Sequence, residues 1–351
     1  MQNLDEKTWN AVQVDNFADV MSGKDIYANE RVDGEHPYIT AGTANNGIGY
    51  FVGNDNSSAD SHVISVNRNG AVGEAFFHPY KALFGNDCRR LKVRESVGDD
   101  AQQFITVVIK GQKDAFSYSR KLGTGRLQRL SVMLPVTDSG EPDYAYMAEY
   151  TRQKREAMLA KYRAYVEKRI AELGEVVEIP ALSEKEWSHF KMPQIFKVIQ
   201  RGKRLKNADH AFGAVPYVSS TANNNGVDDY IEAMPRTRVF DDCISLANSG
   251  SVGTAFYEPF DFVASDHVTA LKTEGLSKYC YLFMTAVIEK QGSNFNFNRE
   301  INDARIKNMQ IMLPIIDSGE PDYKYMEQYS KNMMLRKYRQ YLTFLQQRSD
   351  A

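Results

Sequence analysis

Two loops of the chain combine amide and guanidinium side chains with glycine, a combination that can read DNA bases. One is Asn67-Arg68-Asn69-Gly70 and the other is Asn248-Ser249-Gly250. In the major groove, arginine can donate two hydrogen bonds to guanine, and an asparagine amide can pair with adenine through two hydrogen bonds. When the two halves of the chain are aligned, Arg68 corresponds to Asn248, so the loops are expected to contact different bases. For each asparagine alone, the simpler interpretation is that its side chain supports a turn.

Further amides and cations are candidates for contacts with DNA. Asn-Gly turns place amides at Asn45, Asn46, Asn223 and Asn224. Lysines and arginines suited to phosphate contacts are Lys24, Arg120, Lys121 and Arg126 in the first half, with Lys203, Arg204, Lys206, Arg299 and Arg305 in the second. The alternative is that these lysines and arginines are simply solvated surface residues without a role in binding.

The sequence offers no catalytic constellation. The Asn/Asp-Pro-Pro-aromatic motif of amino-methyltransferases is absent, and no Glu-x-Lys pair indicates a nuclease centre. Gly47-Ile48-Gly49 and Gly123-Thr124-Gly125 are isolated glycine pairs that fall short of a phosphate-binding loop. The six histidines are scattered. We therefore expect no enzyme activity, catalytic residue, metal site or cofactor in this chain.

The composition is that of ordinary globular domains. The 351 residues are 42% hydrophobic and 25% charged, which suits two or three domains with their own cores. A net charge of −2 excludes a polycation, so nucleic-acid binding would need local basic patches or a partner. Three cysteines at unmatched places in the two halves favour reduced thiols and a cytoplasmic protein. No apolar run approaches the roughly 20 residues of a membrane-spanning helix.

The elements that position these loops occur twice, because the chain is a tandem duplication. Asp138-Ser139-Gly140-Glu141-Pro142-Asp143-Tyr144 is repeated letter for letter as Asp317-Ser318-Gly319-Glu320-Pro321-Asp322-Tyr323. Trp9 matches Trp187 at a similar offset, 178 residues (187 − 9) against 179 (317 − 138). A near-constant offset over such a length indicates two copies of one domain plus one helix rather than a short-period repeat.

Within each copy the pattern predicts short strands joined by tight turns. Pro37-Tyr38-Ile39-Thr40 is typical of a strand, and the Asn-Gly turn after it tolerates positive φ and should join it to the next strand. Core strands are expected at 62–66 and 243–246, each leading into a glycine-containing hairpin with a bulge. Helices are expected near 100–110 and 278–289.

The end of each copy adds one more strand. It should finish at a Leu-Pro pair, Leu134-Pro135 in the first copy and Leu313-Pro314 in the second. Just before it, Phe116 and Tyr118, like Phe295 and Phe297, alternate as in a strand, and we expect them in the core rather than stacked on bases. Strands mixed with one or two helices make each copy an α/β or α+β domain.

A long helix follows each copy. Between Pro142 and about residue 173 there is no further proline or glycine, and Gly174 should end the helix. Apolar side chains recur at steps of three and four, as in a packed helix seam, at Leu159, Tyr162, Val166, Ile170 and Leu173, and again at Leu335, Tyr338, Leu342 and Leu345. Roughly 30 residues of helix span about 45 Å, so each helix needs a partner, and its repeat is the obvious one.

The ordered motifs resemble the DNA-specificity (S) subunit of type I and type IIB-like restriction–modification systems over essentially the whole chain. The motifs that carry the resemblance are Gly202-Lys203-Arg204-Leu205, Pro216-Tyr217-Val218, Asn223-Asn224-Asn225-Gly226-Val227, Ile244-Ser245-Leu246 and Gly250-Ser251-Val252-Gly253, with Ile64-Ser65-Val66 and Gly70-Ala71-Val72-Gly73 in the first copy. The Asp-Ser-Gly-Glu-Pro-Asp-Tyr segment is more similar to the type IIB-like systems, whose partner combines methylation with cleavage.

The resemblance implies a duplicated α/β (α+β) architecture. Two target-recognition domains, 1–140 and 175–318, would be separated by spacer helices at 141–174 and 319–351. The helices would pair antiparallel as a coiled coil with pseudo-two-fold symmetry. Each domain would bind one half of a bipartite DNA site, and the helices would set the gap between the halves.

The resemblance also implies partners. A methyltransferase, or a fused methyltransferase–endonuclease, would bind S-adenosylmethionine and magnesium, while this chain binds double-stranded DNA. Tyr146, Tyr150, Tyr325 and Tyr329 at the helix roots could dock that partner or pack on their own domains, and packing is the simpler interpretation. The alternative function is a duplicated protein- or glycan-binding adaptor with a coiled-coil spacer.

Overall fold

The computed structural model describes residues 3–235, 237–292 and 300–349. The chain forms two compact units, Met1–Tyr162 and Arg163–Ala351, called unit 1 and unit 2 here. The long helix α4 (Tyr144–Leu173) begins in unit 1 and ends in unit 2. Each unit has its own hydrophobic core.

Unit 1 contains nine short strands and three short α-helices ahead of α4 among the residues described. In chain order they are β1 (Trp9–Gln13), α1 (Val14–Phe17), β2 (Ala18–Ser22), β3 (Asp33–Ile39), β4 (Ile48–Val52), β5 (Val63–Asn67), β6 (Ala75–His78), β7 (Leu83–Phe84), β8 (Cys88–Val93), α2 (Asp99–Lys110), α3 (Thr124–Gln128) and β9 (Ser131–Pro135). They form sheets in the orders β1-β9, β2-β8-β5-β6 and β4-β3-β7. All pairs are antiparallel except β3 with β7.

Unit 2 repeats this plan with one added strand, β14. Its elements are β10 (Trp187–Lys191), α5 (Met192–Ile195), β11 (Val198–Arg201), β12 (Phe212–Val218), β13 (Val227–Ile231), β14 (Val239–Phe240), β15 (Cys243–Ala247), β16 (Ala255–Glu258), β17 (Phe262–Ala264), β18 (Val268–Lys272), α6 (Lys278–Gly292), α7 (Asp303–Asn308), β19 (Gln310–Pro314) and α8 (Tyr323–Ser349). The sheets are β10-β19, β11-β18-β15-β16 and β13-β12-β17-β14. The β12–β17 pair is parallel, as β3–β7 is in unit 1.

The main core of each unit lies between a helix and the sheet that contains β5 in unit 1 or β15 in unit 2. In unit 1, α2 contacts β5, β6 and β9. Its buried side chains include Ala101, Phe104, Ile105 and Ile109, a three-and-four spacing that puts them on one helix face. In unit 2, α6 has the same position and also packs on α8. The helices expected near 100–110 and 278–289 are therefore confirmed.

The predicted turns and core strands are also confirmed. Asn46 and Asn225 have φ of 53° in the turns that join β3 to β4 and β12 to β13. Positive φ is open to asparagine and glycine at little steric cost, which is why these residues form the turns. β5 and β15 are buried throughout, and β9 and β19 end at the Leu-Pro pairs.

One expectation about the core is wrong. The alternating pattern places Tyr118 in a core strand, but its side chain is 74% exposed. Phe116 is half-buried against the unit 1 core. The residues around them form a turn with a single Ser117–Arg120 bridge instead of a strand. Only the ring of Phe116 therefore packs on the core. Phe295 and Phe297 lie outside the described residues.

Most side chains of the seam predicted on the long helices are buried or half-buried, but Tyr162 is 38% exposed. Val166 and Leu335 are fully buried, and Leu173 and Leu345 nearly so. Within unit 2, the Tyr165 ring meets Tyr338 edge-on at 6.5 Å between centroids. Gly174, with φ of 77°, ends α4 as expected.

The helix starts are fixed by the repeated Asp-Tyr motif. The carboxylate of Asp143 accepts a hydrogen bond from the backbone N–H of Tyr146 at 2.9 Å, which caps α4. Asp322 caps α8 in the same way through Tyr325 at 3.0 Å. In the part of the chain that the structure describes, no helix combines the length and apolarity needed to cross a membrane.

The sheets that contain β5 in unit 1 and β15 in unit 2 carry different buried polar pairs at one equivalent place. In unit 1, the Ser65 hydroxyl lies 2.8 Å from His78 Nε2, and burial lowers the pKa of His78 from 6.5 to about 4. In unit 2, the Ser245 hydroxyl donates to Glu258 Oε1 at 2.8 Å, and burial raises the pKa of Glu258 from 4.5 to about 7. His78 and Glu258 are therefore both neutral near pH 6.

These pairs predict opposite pH dependences. The folded state holds the proton on Glu258 that the unfolded chain releases above pH 4.5, so stability falls as pH rises from about 4.5 to 7. Glu258→Gln should remove this loss and be about 3 kcal/mol more stable than the wild type at pH 8, at about 1.4 kcal/mol per pKa unit. Urea unfolding at pH 5 and pH 8 measures the difference.

His78→Gln is the matched control, because the wild type gains stability through His78 as pH rises from about 4 to 6.5. Removing that histidine should flatten the profile of unfolding free energy against pH below about pH 6.5 and leave the profile unchanged above it. Equal pH profiles for Glu258→Gln and the wild type would show that Glu258 does not titrate in this way.

Candidate nucleic-acid interface

Three loops of unit 1 are joined at one end of its sheets, and we call them the loop junction of unit 1. They are the β3–β4 turn (residues 41–47), the β5–β6 loop (68–74) and the β7–β8 loop (85–87). Main-chain hydrogen bonds connect them: Ala71 N–H donates to Ala41 O at 3.3 Å, and Arg68 N–H donates to Asp87 O at 2.8 Å. The junction is thus held by backbone groups, which every residue type except proline supplies.

A glycine permits the closest approach within this junction. Gly70 has φ of +60°, and a Cβ added there would lie 2.8 Å from the carbonyl oxygen of Ala41. A larger residue would therefore push the β5–β6 loop away from the β3–β4 turn.

The predicted base-reading side chains of unit 1 have different environments within the junction. Arg68 Nη2 donates to Asp87 Oδ1 at 2.9 Å, and 30% of the Arg68 side chain is exposed. Asn69 Nδ2 lies 3.4 Å from the other oxygen of the same carboxylate. The hydrogen bond from Arg68 is the largest cause that holds the pKa of Asp87 below its usual range.

Asn67 does not face solvent. Its side chain is fully buried, and its Nδ2 donates to the carbonyl oxygen of Gly42 at 3.1 Å. The Cys88 thiol lies 3.5 Å from its Oδ1. The expectation that Asn67 presents an amide to a base is therefore corrected: the amide ties the end of β5 to the β3–β4 turn.

The remaining candidates of unit 1 are exposed around this junction. Asn45 and Asn46 form the exposed tip of the β3–β4 turn. Lys24 is exposed, and its backbone is bonded to β7 just before the β7–β8 loop. Lys121 is close enough to the carboxylate of Asp87 to help lower its pKa.

Two further arginines lie in the segment that follows α2. Arg120 is exposed and lies 5.7 Å above the ring of Phe116. Arg126 is exposed at the start of α3, and its guanidinium donates to the carbonyl oxygen of Lys121. Both therefore lie on the same segment as Lys121, whose charge acts on Asp87 of the junction.

Unit 2 contains the same junction, built from residues 220–226, 248–254 and 265–267. Ser251 N–H donates to Ser220 O at 3.0 Å, and Asn248 N–H donates to His267 O at 2.8 Å. Gly250 has φ of +63° and packs against Ser220 as Gly70 packs against its neighbour. The backbone frame is therefore the same in both units.

The side chains on this frame differ between the units. Where unit 1 has the Arg68–Asp87 ion pair, unit 2 has a hydrogen bond between the Ser249 hydroxyl and His267 Nδ1. Asn248 is fully buried, and its Oδ1 accepts from Thr269 at 2.9 Å. The expectation that Asn248 reads a base is therefore corrected as well, because its side chain points into the sheet.

The Asn-Gly turn of unit 2 is one residue displaced from its expected alignment. Asn224 and Asn225 have the positive φ angles that Asn45 and Asn46 have in unit 1. Asn223 is exposed but has extended backbone before the turn. Asn225 was missed, although aligning the turn glycines at 47 and 226 would have identified it.

Two other residues of the junctions were missed by sequence reasoning. Asp87 and His267 carry no motif of their own, and each lies in the short loop before β8 or β18. An offset of 180 residues (267 − 87) makes them equivalent. This offset is the only sequence signal for the two residues. It does not show that their loop contacts residue 68 in unit 1 or residue 249 in unit 2.

The cations of unit 2 are placed as follows. Lys203 is exposed with its backbone bonded to β17, as its counterpart is to β7. Arg204 and Lys206 are exposed beside the β12–β13 hairpin, flanking a buried leucine. Arg305 is exposed on α7 and donates to the carbonyl oxygen five residues earlier at 2.5 Å. Arg299 lies outside the described residues.

The tyrosines at the helix roots pack on their own units. Tyr146 is buried, and its ring stacks on Tyr150 at 6.3 Å between centroids. Tyr150 in turn meets Phe104 of α2 edge-on at 5.8 Å. Tyr325 and Tyr329 repeat this pair in unit 2 at 6.1 Å. The simpler interpretation, packing on the adjacent domain, is confirmed for these rings.

Comparisons with known proteins agree with this duplicated organisation. The family described as "Type I restriction modification DNA specificity domain" matches residues 6–160 and again 184–341. The specificity subunit S.BcgI of a type II restriction enzyme from Heyndrickxia coagulans is 30% identical over 328 residues, covering 91% of this chain and 93% of that protein. The crystal structure of a type I restriction–modification S subunit from M. genitalium covers 100% of this chain and 96% of its own, with 15% identity. The TM-score between the two structures is 0.48.

The turn asparagines allow a test that separates backbone support from base contact. Asn46→Ala should lower the free energy of unfolding by about 1 kcal/mol, because alanine is strained at positive φ. Asn46→Gly should fold normally, since glycine accepts this φ, yet it should bind target DNA about tenfold more weakly if the amide contacts a base.

The target duplex for this test comes from sequencing methylated sites in the host genome. Asn225→Gly is the matched variant in unit 2. Unchanged affinity and base preference in both glycine variants would assign these amides to turn formation alone.

Proposed function

This chain belongs to the family of type I restriction modification DNA specificity domains, and we propose that each of its two units reads one half of a bipartite DNA target. As a specificity subunit the chain is not itself catalytic. It binds DNA and assembles with the subunits that methylate and cleave it. The observation that carries the proposal is the loop junction built twice on one backbone frame with different side chains.

The distribution of charge supports this assignment. A chain with a net charge of −2 cannot attract DNA through its overall field. Three exposed cations lie next to the junction loops, Lys24 and Lys121 in unit 1 and Lys203 in unit 2. We assign these three to phosphate contacts, which orient the loops without reading sequence. The other exposed candidates, Arg120 and Arg126 with Arg204, Lys206 and Arg305, are secondary members of the same set.

We propose that α4 and α8 pair antiparallel as a coiled coil with pseudo-two-fold symmetry. Contacts within unit 2 support this direction: Tyr165 meets Tyr338, and further along the chain Val177 N–H donates to Asn332 Oδ1 at 3.1 Å. From Tyr165 in α4 to Val177 beyond its end the residue number rises, while the number of the contacted residue in α8 falls from 338 to 332. The two segments therefore run in opposite directions. The recognition domains would be 1–140 and 175–318, with spacer helices at 141–174 and 319–351.

The spacer helices would then determine the gap in the target. About 45 Å of helix corresponds to roughly 13 base pairs at about 3.4 Å per base pair. A specificity subunit of this kind would hold its half-sites at one fixed separation.

The catalytic partner would be a methyltransferase or a fused methyltransferase–endonuclease in the cytoplasm. S-adenosylmethionine and magnesium would bind to that partner. Tyr150 and Tyr329, the half-buried members of the two tyrosine pairs, are the ones available for docking it. The 30% identity to a type II restriction enzyme specificity subunit favours a type IIB-like system.

Salt dependence tests DNA binding by the junction cations. Binding of the complex to its target duplex should weaken by about 10³-fold or more between 50 and 200 mM salt if six or more phosphates are contacted. Lys24→Ala and Lys203→Ala should each reduce the slope of log affinity against log salt by about one. Fluorescence anisotropy across a salt series measures both.

A partner subunit could supply cations of its own, and the two alanine variants control for this. Salt-independent binding, or slopes unchanged in both variants, would exclude phosphate contact by these lysines. Binding of a protein or glycan in place of DNA would support the adaptor function instead.

Shortening both helices tests their role as a spacer. Deleting 159–165 and 335–341 together removes seven residues from each and keeps the seam in register. The gap between half-sites should shorten by about three base pairs, because seven residues of helix span about 10 Å. Methylation-site sequencing reads the gap directly.

Deletion in one helix alone is the control, and it should impair assembly because the seams no longer match. A double deletion that still binds DNA with the original gap would disprove the spacer role of the helices.

A further inference from the structure

We propose that Asp87 is a positioning residue that holds Arg68 for reading a guanine in the half-site bound by unit 1. The proposal rests on the function proposed above. His267 has the equivalent position in unit 2, and there it forms a different contact with Ser249. Neither Asp87 nor His267 belongs to a motif, and both are identified only by their contacts in the junctions.

Asp87 holds Arg68 at two points. Its carbonyl oxygen accepts from the backbone N–H of Arg68 at 2.8 Å, and its carboxylate accepts from Arg68 Nη2 at 2.9 Å. An arginine side chain is flexible, so a fixed guanidinium orientation must be imposed by such contacts. The guanidinium has five N–H donors, so donors remain for a base after Asp87 is bound.

The carboxylate makes Arg68 unsuited to phosphate binding and suited to base reading. Asp87 offsets the charge of Arg68 and would itself repel a phosphate. A guanine edge is neutral and offers two acceptors, O6 and N7, whose recognition depends on geometry. The pair also lies in the open, with 30% of the Arg68 side chain and 48% of the Asp87 side chain exposed.

The exposure of the Arg68–Asp87 pair argues against a purely structural role for it. Ion pairs that are this open to solvent contribute little to folding. The junction is already held by backbone hydrogen bonds, and unit 2 forms the same frame with a Ser249–His267 hydrogen bond in place of the Arg68–Asp87 pair. The pair is therefore a side-chain addition to a frame that does not need it.

Unit 2 presents an imidazole where unit 1 presents the pair. His267 has 53% of its side chain exposed, with Nδ1 directed at the Ser249 hydroxyl. The two half-sites should consequently differ in the base read from this place. This difference supplies an internal control, because a change at residue 87 should affect one half-site only.

The experiment measures base preference at every position of both half-sites. The probe is a set of duplexes that carry each of the four bases at each position of the target found by methylation-site sequencing. The complex of the full chain with its methyltransferase partner is used throughout. Arg68→Ala should reduce the preference for guanine at one position of one half-site by about tenfold or more.

Asp87→Ala should reduce the preference at the same position by a smaller factor, about three- to tenfold, because the arginine remains but is no longer oriented. Asp87→Glu should restore part of it. In the Arg68→Ala background, Asp87→Ala should have no further effect, since a positioning residue acts only through its arginine. His267→Ala should change one position of the other half-site.

Three results would overturn the proposal. They are an equal loss of affinity for all four bases in Asp87→Ala, additive effects in the double variant, or altered preference in both half-sites. Retained preference in the half-site of unit 2 shows that the Arg68 and Asp87 variants are folded, and retained preference in the half-site of unit 1 shows the same for His267→Ala. A wild-type complex with no base preference at any position would instead contradict the proposed function itself.

Discussion

The structure depends on the backbone hydrogen bonds that join three loops at one end of each unit. Ala71 N–H to Ala41 O and Arg68 N–H to Asp87 O have equivalents at Ser251 and Asn248 in unit 2. Because these bonds use main-chain atoms, the side chains at the same positions can change while the loops keep their places. Such a frame suits a protein that must read different bases in its two halves, since specificity resides in substitutable side chains.

The same division between frame and variable side chains explains the electrostatics. Buried polar groups that support the frame are neutral or locally satisfied, such as Asn67 bound to Gly42. The lysines proposed to contact phosphates, Lys24, Lys121 and Lys203, are exposed, and local charges of this kind can act even though the whole chain has a net charge of −2. Selectivity and attraction are therefore assigned to different residues, as the chemistry of bases and phosphates requires.

Sequence reasoning identified the duplication, the Asn-Gly turns and the helix seams, because each follows a local rule of spacing or backbone preference. It could not tell Asn67, which is buried, from Asn69 two residues later, because loop side chains follow no period. It also missed Asp87, which meets Arg68 from 19 residues further along the chain. The prediction for Tyr118 was wrong because alternation over a few residues predicts a strand even where a turn forms instead.

The central claim is that one chain carries two separate reading sites held at a fixed spacing. Selection of bound duplexes from a fully randomised library, with the methyltransferase partner present, tests it most directly. The account predicts two short blocks of defined sequence, unequal to each other, with a gap of constant length and free composition between them. A single continuous block, a gap of variable length, or no enrichment would contradict it.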